Sequence, residues 1–202
     1  ILVEMVEVIT YGDFKLSKKL KTKHQIVLSH TSREVGEYLT SLKFRNGGKY
    51  EKLPHYVITR DARVIKILEP NYVTNFSVDR DSEKRHIVIC LENLGWVNKK
   101  PLSDTYLNWI GNIYKDTVYE RKWRDYFLWH PYTNEQIEKT VELCRDLCEQ
   151  FSIPKKFSGH NTKIDGIENF EGVVSRSNYN TRFTDLSPAF PFDTFKTKLE
   201  NE

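Results

Sequence analysis

The sequence predicts an α/β fold in which a mixed central β-sheet is flanked by helices. Short apolar runs rich in β-branched residues, over 26–29 and 86–92, indicate buried strands. Residues 133–152 place apolar side chains at helical spacing, which is typical of an amphipathic helix. Strand and helix patterns alternate along the chain, and this alternation favours a sheet covered by helices.

The first half of the chain contains four predicted elements. They are a strand over 26–29, a helix over 34–43, a hairpin over 55–68 and a strand over 86–92. The first of these strands ends at His30, which is therefore expected at an edge of the sheet. In the last strand Cys90 and Glu92 share a face, because successive residues of a strand point to opposite sides.

Residues 101–131 are rich in aromatic side chains and give no clear pattern of elements. Most such side chains fill a core, and the alternative is a surface that binds sugars or a partner. We treat this stretch as an insertion.

Three more elements are predicted after this insertion. They are a helix over 133–152, a strand over 157–160 and a closing helix over 191–199. The first helix begins at Thr133, which is expected to form a capping box with Gln136. The strand is expected to carry His160 at its tip.

The composition is that of a globular protein with a sizeable core. Of 202 residues, 39% are hydrophobic, 13% are aromatic and 29% are charged, and the formal net charge is +3. This small charge gives no reason to expect a nucleic-acid partner. The basic run over 15–23 is expected to be a solvated surface, with weak attraction to a cell wall as the alternative. We expect one domain over 1–202 and, by default, a monomer.

The three cysteines are Cys90, Cys144 and Cys148, and this low, odd number argues against a disulfide framework. No stretch approaches the roughly 18 apolar residues of a membrane-spanning helix, so membrane insertion is not expected. The acidic segment over 1–7 lacks the basic start of a signal peptide. We therefore expect synthesis in the cytoplasm without a signal peptide, although the missing initiator Met leaves open a removed leader.

Two histidines and one aspartate form the candidate metal site, namely His30, His160 and Asp185. Two imidazole nitrogens and one carboxylate oxygen suit zinc and leave a fourth position for water. On spacing alone, the alternatives are packed or capped histidines and a turn-forming aspartate.

Four blocks of the sequence resemble, in order, the zinc-dependent N-acetylmuramoyl-L-alanine amidase family, which includes amidase-type phage lysozymes and peptidoglycan recognition proteins. The blocks are IVLSHT at 26–31, LPHYVITRD at 53–61, IVICLEN at 87–93, and GH at 159–160 followed by RFTDLSPAF at 182–190. The resemblance covers about residues 24–198.

This resemblance implies that His30, His160 and Asp185 bind Zn²⁺. It implies cleavage of the amide between N-acetylmuramic acid and L-alanine, with peptidoglycan muropeptides as the substrate. A zinc ion in such a site lowers the pKa of its bound water and polarises the substrate carbonyl. It also implies a phage endolysin or a virion-associated lysin that acts on the cell wall.

The chain departs from the family pattern at the groups that assist the metal. Cys90 stands where many members have a catalytic Glu, Pro54 where others have a Tyr, and Phe183 where the family has a Lys. Glu92 is the candidate substitute for the catalytic Glu, with a surface or supporting role as its alternative. The alternative functions are a weak or inactive peptidoglycan-binding or virion structural module that keeps the zinc site, and a zinc hydrolase for another amide.

A second insertion, over 163–180, lengthens the segment between the last two predicted zinc ligands. Four side chains on or beside it are candidates for stabilising an oxyanion. They are Lys163, Arg176, Tyr179 and Arg182.

Overall fold

The computed structural model describes residues 7–8, 22–76 and 82–201. The strands are β1 (Glu7–Val8), β2 (Gln25–His30), β3 (Tyr56–Ile58), β4 (Val64–Lys66), β5 (His86–Leu91), β6 (Trp96–Lys99), β7 (Tyr106–Asn108), β8 (Ile113–Tyr114), β9 (Tyr119–Trp123), β10 (Tyr126–Trp129) and β11 (Gly172–Ser175). The helices are α1 (Val35–Phe44), α2 (Asn134–Phe151) and α3 (Phe192–Asn201). The expected features over 1–7 and 15–23 lie almost wholly outside the described residues.

A mixed six-stranded sheet forms the centre of the fold, in the order β1-β4-β3-β5-β2-β11. β2 pairs in parallel with both β5 and β11, and β5 pairs in parallel with β3. β3 and β4 form the predicted antiparallel hairpin. The predicted α/β class with a mixed sheet is therefore confirmed.

The central strands are buried on both faces, and their alternation decides which helix each face meets. Ile26 and Leu28 of β2 belong to the core that contains side chains of α2 and α3. Val27 belongs to the opposite core, which contains Tyr38 and Leu42 of α1. The sheet thus lies between two apolar layers, as expected for a sheet flanked by helices.

The start of α2 confirms half of the predicted capping box. The Thr133 hydroxyl accepts a hydrogen bond from the backbone N–H of Gln136, at 3.2 Å. The Gln136 side chain does not return to the helix cap, because its amide donates instead to the carbonyls of Ile58 and Glu92, both at 3.0 Å. The helix is thereby fastened to the ends of β3 and β5.

The aromatic-rich insertion forms most of a second sheet, which is antiparallel and has the order β8-β7-β6-β10-β9. Leu94, Val97 and Tyr114 form its small core. The sequence pattern did not reveal these strands because β9 is largely exposed and lacks the alternation of a half-buried strand. β6 follows β5 closely in the chain, so the second sheet begins beside the carboxyl end of β5.

The predicted strand over 157–160 is wrong. Phe157 makes an isolated bridge to Val173, and the chain then turns at Gly159, whose φ of +79° does not belong to an extended strand. The neighbour of β2 is instead β11, which lies inside the segment predicted to be an insertion. The segment over 163–180 therefore supplies a strand of the central sheet.

None of the described helices is both long enough and apolar enough to cross a bilayer.

Candidate active site

The parallel strands β2, β5 and β11 end at one edge of the central sheet, where they gather polar side chains. His30 is the last residue of β2 and is paired with Leu91 of β5. Arg176 directly follows β11. Because neighbouring parallel strands deliver their carboxyl ends to the same edge, these residues approach each other although far apart in sequence.

Asp185 joins this edge from the following loop and is 4% exposed. Its Oδ2 atom accepts a hydrogen bond from the Ser29 hydroxyl. Nη1 of Arg176 lies 3.6 Å from the same oxygen. The Asp185 backbone carbonyl also accepts a 2.6 Å hydrogen bond from the backbone N–H of Ser177. The carboxylate is therefore fixed between β2 and the segment that follows β11.

His30 is 7% exposed, and its Nδ1 atom lies 3.3 Å from the carbonyl oxygen of Asn93. A carbonyl can only accept, so this contact assigns the proton of the neutral ring to Nδ1 and leaves the lone pair on Nε2. Burial lowers the pKa of His30, opposed by the negative charge of Asp185. The ring is therefore neutral at neutral pH and able to accept a proton.

Gly95 forms a close wall against this imidazole. A Cβ atom at Gly95 would lie 2.7 Å from Cε1 of His30, and its φ of +80° is a conformation that residues with side chains rarely adopt. The residue therefore permits the chain after β5 to approach His30 closely.

His160 lies elsewhere, in an exposed loop. Its Nδ1 atom is 2.8 Å from the hydroxyl of Thr162, and its ring lines a separate cavity with Trp123 and Phe190. Asn178 holds the loop in place by donating to the His160 carbonyl at 2.8 Å. The structure brings His30 and Asp185 to one edge but does not bring the His160 imidazole to them.

Among residues 7–8, 22–76 and 82–201, no three His, Cys, Asp or Glu side chains lie together in a way that could hold a metal ion. Of the three expected ligands, this edge holds one imidazole and one carboxylate, beside a guanidinium. As placed, these residues do not fit the three-ligand zinc site expected from the sequence. The assignment of His30, His160 and Asp185 as zinc ligands stays a prediction.

Cys90 lies on β5 beside Ser29 of β2 and is fully buried. Burial raises the pKa of its thiol to about 12, and the Tyr38 hydroxyl donates to Sγ at 3.6 Å. The thiol is therefore protonated at neutral pH and is not a base.

Glu92 follows β5, and both of its carboxylate oxygens accept backbone hydrogen bonds. Oε1 accepts from Val35 at the start of α1 at 2.8 Å, and Oε2 accepts from Arg60 at 2.9 Å. These contacts give Glu92 a structural role as the anchor of a helix N-terminus. Its catalytic role stays a prediction.

The four candidate oxyanion donors differ in their position relative to His30 and Asp185. Lys163 pairs with Asp165 at 2.8 Å in solvent, and Arg182 is exposed. The Tyr179 hydroxyl lies at the opposite end of the sheet, 2.9 Å from Nε2 of His86. Arg176 is therefore the one candidate of the four that lies beside both His30 and Asp185.

A cavity of about 320 Å³ opens beside His30. Its basic lining consists of Arg33, Arg45, Lys52 and Arg176, and its aromatic lining of Tyr38, Tyr50, Phe76, Trp96 and Trp109. Four cationic groups with aromatic surface between them suit a ligand that carries both anionic and apolar parts.

Trp109 is a wall of this cavity that sequence reasoning did not identify individually. Its indole N–H donates to the Ser32 carbonyl, and the Arg33 guanidinium lies 4.9 Å from its ring centroid. The signal available in the sequence was the aromatic richness of residues 101–131.

Arg176 was included among the candidates, but its position at the end of a central strand was missed. The run Val173-Val174-Ser175-Arg176 repeats the pattern of Val27-Leu28-Ser29-His30, in which a short apolar stretch and a serine precede a basic side chain. This repetition was the signal that could have identified β11 as a strand parallel to β2.

Comparisons with known proteins agree with this architecture. The sequence model described as N-acetylmuramoyl-L-alanine amidase matches residues 20–171, which is well over half of the chain. The match ends just before β11, so Arg176 and Asp185 lie beyond it. No curated protein is significantly similar to the chain in sequence.

Several solved structures share the fold at low sequence identity. The endolysin LysCS from Clostridium intestinale URNW has a TM-score of 0.55 and 15% identity, covering 97% of each chain. The Ph2119 endolysin of Thermus scotoductus bacteriophage Ph2119 has a TM-score of 0.55 and 14% identity, covering 96% of this chain and 99% of its own. The E. coli amidase AmiD, solved with a muropeptide substrate, has a TM-score of 0.55 and 15% identity, covering 91% of this chain and 60% of its own. On the match of its sequence to the family model, supported by this shared fold, the chain belongs to the N-acetylmuramoyl-L-alanine amidase family of enzymes.

Proposed function

We propose that this chain hydrolyses the amide between N-acetylmuramic acid and L-alanine in peptidoglycan, with the substrate in the cavity beside His30. The observation that carries the proposal is the cavity itself, which opens on His30 and Arg176 at the carboxyl edge of the central sheet. Membership of the amidase family supplies the reaction.

The basic lining of the cavity supports a muropeptide as the substrate. Arg33, Arg45 and Lys52 would face carboxylate groups of the peptide stem, while Trp96 and Trp109 offer flat apolar surface to a sugar ring. AmiD was solved with anhydro-N-acetylmuramic acid-L-Ala-D-γ-Glu-L-Lys, a ligand of this chemical kind.

Two of the polar groups that line the cavity, His30 and Arg176, have complementary roles in the proposed reaction. Nε2 of neutral His30 accepts a proton from a water molecule as the water oxygen bonds to the amide carbon. Arg176 donates to the carbonyl oxygen, on which negative charge develops. When the carbon–nitrogen bond breaks, His30 returns the proton to the departing amino group of L-alanine. No step is assigned to zinc, because the described residues do not fit the expected site.

Binding of peptidoglycan without hydrolysis is the second candidate function, and its motivation is the state of the acidic groups at the site. Both oxygens of Glu92 are engaged by backbone N–H groups. Asp185 accepts from Ser29 and faces Arg176, and the Cys90 thiol is protonated. His30 is thus left as the single base of the mechanism proposed above.

The cellular role we propose is that of an endolysin or virion-associated lysin acting on the cell wall. The likeness of the fold to LysCS and to the Ph2119 endolysin supports this role. Zinc dependence, a single domain over 1–202 and a monomeric state stay predictions. Size-exclusion chromatography with light scattering tests the last of these.

The test of the proposed function is digestion of purified sacculi, with and without added zinc, followed by measurement of new L-alanine amino termini. We expect product from the wild type and none from His30→Ala. The matched control is His24→Ala, because His24 is more exposed and pairs with Glu171 away from the cavity. Co-sedimentation with sacculi without product would establish the second function, and absence of both binding and product would overturn the proposal.

A further inference from the structure

The position of Arg176 follows from strand order. β11 pairs with β2 so that Ser175 lies opposite Leu28, and both strands run in the same direction. The side chain that follows β11 is therefore delivered next to the residues at the end of β2. That side chain is Arg176, while His160 is held in the loop before β11.

The guanidinium of Arg176 is firmly placed within this edge. Its Nη1 atom lies 3.6 Å from Oδ2 of Asp185, and the side chain is 21% exposed. Its Cζ atom lies 3.9 Å from the ring centroid of Phe183 and 4.9 Å from that of Phe76. Cation–π contacts of this kind suit the planar, weakly hydrated guanidinium better than a compact ammonium.

One hydrogen-bond donor of the Arg176 guanidinium has no partner in the part of the chain that the structure describes. Nε of Arg176 is buried and has no hydrogen-bond partner among the described residues. Buried donors are normally paired, so an unpaired donor beside a cavity indicates an acceptor that is supplied from outside. Arg176 lines the cavity together with three other basic side chains, so the acceptor that fits is an oxygen of an anionic or strongly polarised group.

A guanidinium keeps its positive charge at all pH values that the fold tolerates. Its Nη1 atom lies 3.6 Å from the Asp185 carboxylate, and the guanidinium lines the same cavity as His30. A divalent cation held by His30 and Asp185 would meet this fixed charge at close range, and the repulsion is strong in a poorly solvated site.

We propose that Arg176 is the resident cation of the site, taking the electrostatic place of a divalent metal beside His30 and Asp185. The wild-type chain then binds no zinc there, and Arg176 binds a carboxylate or carbonyl oxygen of the muropeptide. This inference deepens the proposed function and rests on it for the identity of the ligand; the zinc part stands independently.

Equilibrium dialysis against zinc, read by elemental analysis, tests the metal part in three proteins. The wild type is expected to retain well below one zinc per chain. Arg176→His, which replaces the cation by an imidazole beside His30 and Asp185, is expected to retain about one. His160→Ala is expected to behave as the wild type. Stoichiometric zinc in the wild type that is lost in His160→Ala overturns the proposal, as does a folded Arg176→His protein that takes up none.

Calorimetric titration with N-acetylmuramoyl-L-Ala-D-γ-Glu-L-Lys tests the ligand part. We expect Arg176→Gln to weaken binding at least about 10-fold and Arg176→Lys to restore part of the loss, since Lys keeps the charge but not the planar contacts. Arg63→Gln is the matched control, because Arg63 is 54% exposed and pairs with Asp61 outside the cavity. Equal affinity of Arg176→Gln and wild type overturns this part.

The two proposals fail separately. Absence of hydrolysis and of binding to sacculi removes the proposed function but leaves the zinc results standing. Zinc uptake through His160 removes the role of Arg176 even if the enzyme is active.

Discussion

The two ends of strands β2, β5 and β11 carry buried polar groups of very different kinds. At the amino end, the ammonium of Lys23 donates to the carbonyls of Tyr72 and His86 at 2.9 and 2.8 Å. The side-chain amide of Gln25 donates to two backbone carbonyls at 3.0 and 2.8 Å, and its Oε1 atom accepts a hydrogen bond from the Tyr179 hydroxyl. Nearly every contact is short and joins distant parts of the chain.

At the carboxyl end Asp185 and Glu92 also accept short hydrogen bonds, but His30 and Arg176, which line the cavity, make longer contacts. Nη1 of Arg176 lies 3.6 Å from Oδ2 of Asp185, and Nδ1 of His30 lies 3.3 Å from the carbonyl oxygen of Asn93. Nε of Arg176 has no hydrogen-bond partner among the described residues. A saturated network stabilises the fold, whereas polar atoms left unsaturated beside a cavity are available to a ligand. The two ends therefore divide stability and function between them.

The largest expected effect is a loss of stability in acid, carried by buried neutral histidines at both ends. Burial lowers the pKa of His55, near Tyr72 at the amino end, to about 3, and that of His130, near Asn93, to about 4. Between pH 6.5 and about 4 the unfolded chain binds protons that the folded chain does not, so the free energy of unfolding falls as pH falls. We expect a loss of about 4 kcal/mol from pH 6.5 to 4.5.

Urea denaturation at pH 6.5, 5.5 and 4.5 measures this loss. His55→Gln should remove about half of the pH dependence, whatever it does to stability at neutral pH. A flat profile in the wild type would show that the buried rings are not held neutral.

The next largest effect is expected at Gly95, which packs against the His30 imidazole at the carboxyl end of the sheet. Gly95→Ala places a methyl group 2.7 Å from Cε1 of His30, so either the imidazole or the backbone must move. We expect a destabilisation of about 1–3 kcal/mol and at least a 10-fold loss of muropeptide affinity or activity.

Gly111→Ala is the matched control for this change. Gly111 has a similar φ of +87° but has nothing within 4 Å of an added Cβ atom, so it carries the backbone cost without the clash. If both variants lost function equally, the contact with His30 would not be the cause.

A smaller effect is expected from the second sheet. Trp109→Ala removes a wall of the cavity and the contact with Arg33, but the indole is 38% exposed, so stability should change by less than about 1 kcal/mol. Muropeptide affinity should fall several-fold in calorimetric titration. Phe127→Ala, at a 58% exposed aromatic of the same sheet outside the cavity, should leave affinity unchanged.

The elements that the sequence predicts well are those with a complete local signal. β2 and β5 are uniformly buried apolar runs, and α2 combines a Thr133 cap with a long apolar stripe. The hairpin of β3 and β4 is likewise local, since its strands are joined by a short turn. The resemblance between ordered blocks then identifies the family and places His30 and Asp185 at one site.

The position of Arg176 is less predictable from the sequence because it depends on a long-range pairing. β11 has four residues, and it becomes the neighbour of β2 through contacts across more than a hundred residues of sequence. The predicted strand over 157–160 failed because nothing local shows that its pairing is limited to a single bridge at Phe157. The second sheet was missed for a related reason, because β9 is too exposed to alternate.

The assignment of stability to the amino end of the sheet and of function to its carboxyl end is tested most directly by making the same kind of substitution at both ends. Lys23→Met and Arg176→Met each exchange a cationic side chain for an apolar one of similar length, and unfolding free energy and muropeptide affinity are measured for both. We predict that Lys23→Met loses about 2–4 kcal/mol of stability and keeps its affinity, because it removes a buried cationic donor from the carbonyls of Tyr72 and His86. Arg176→Met should lose less stability than Lys23→Met and lose at least 10-fold in affinity. The opposite pattern, or equal losses of both quantities in the two variants, would contradict the account.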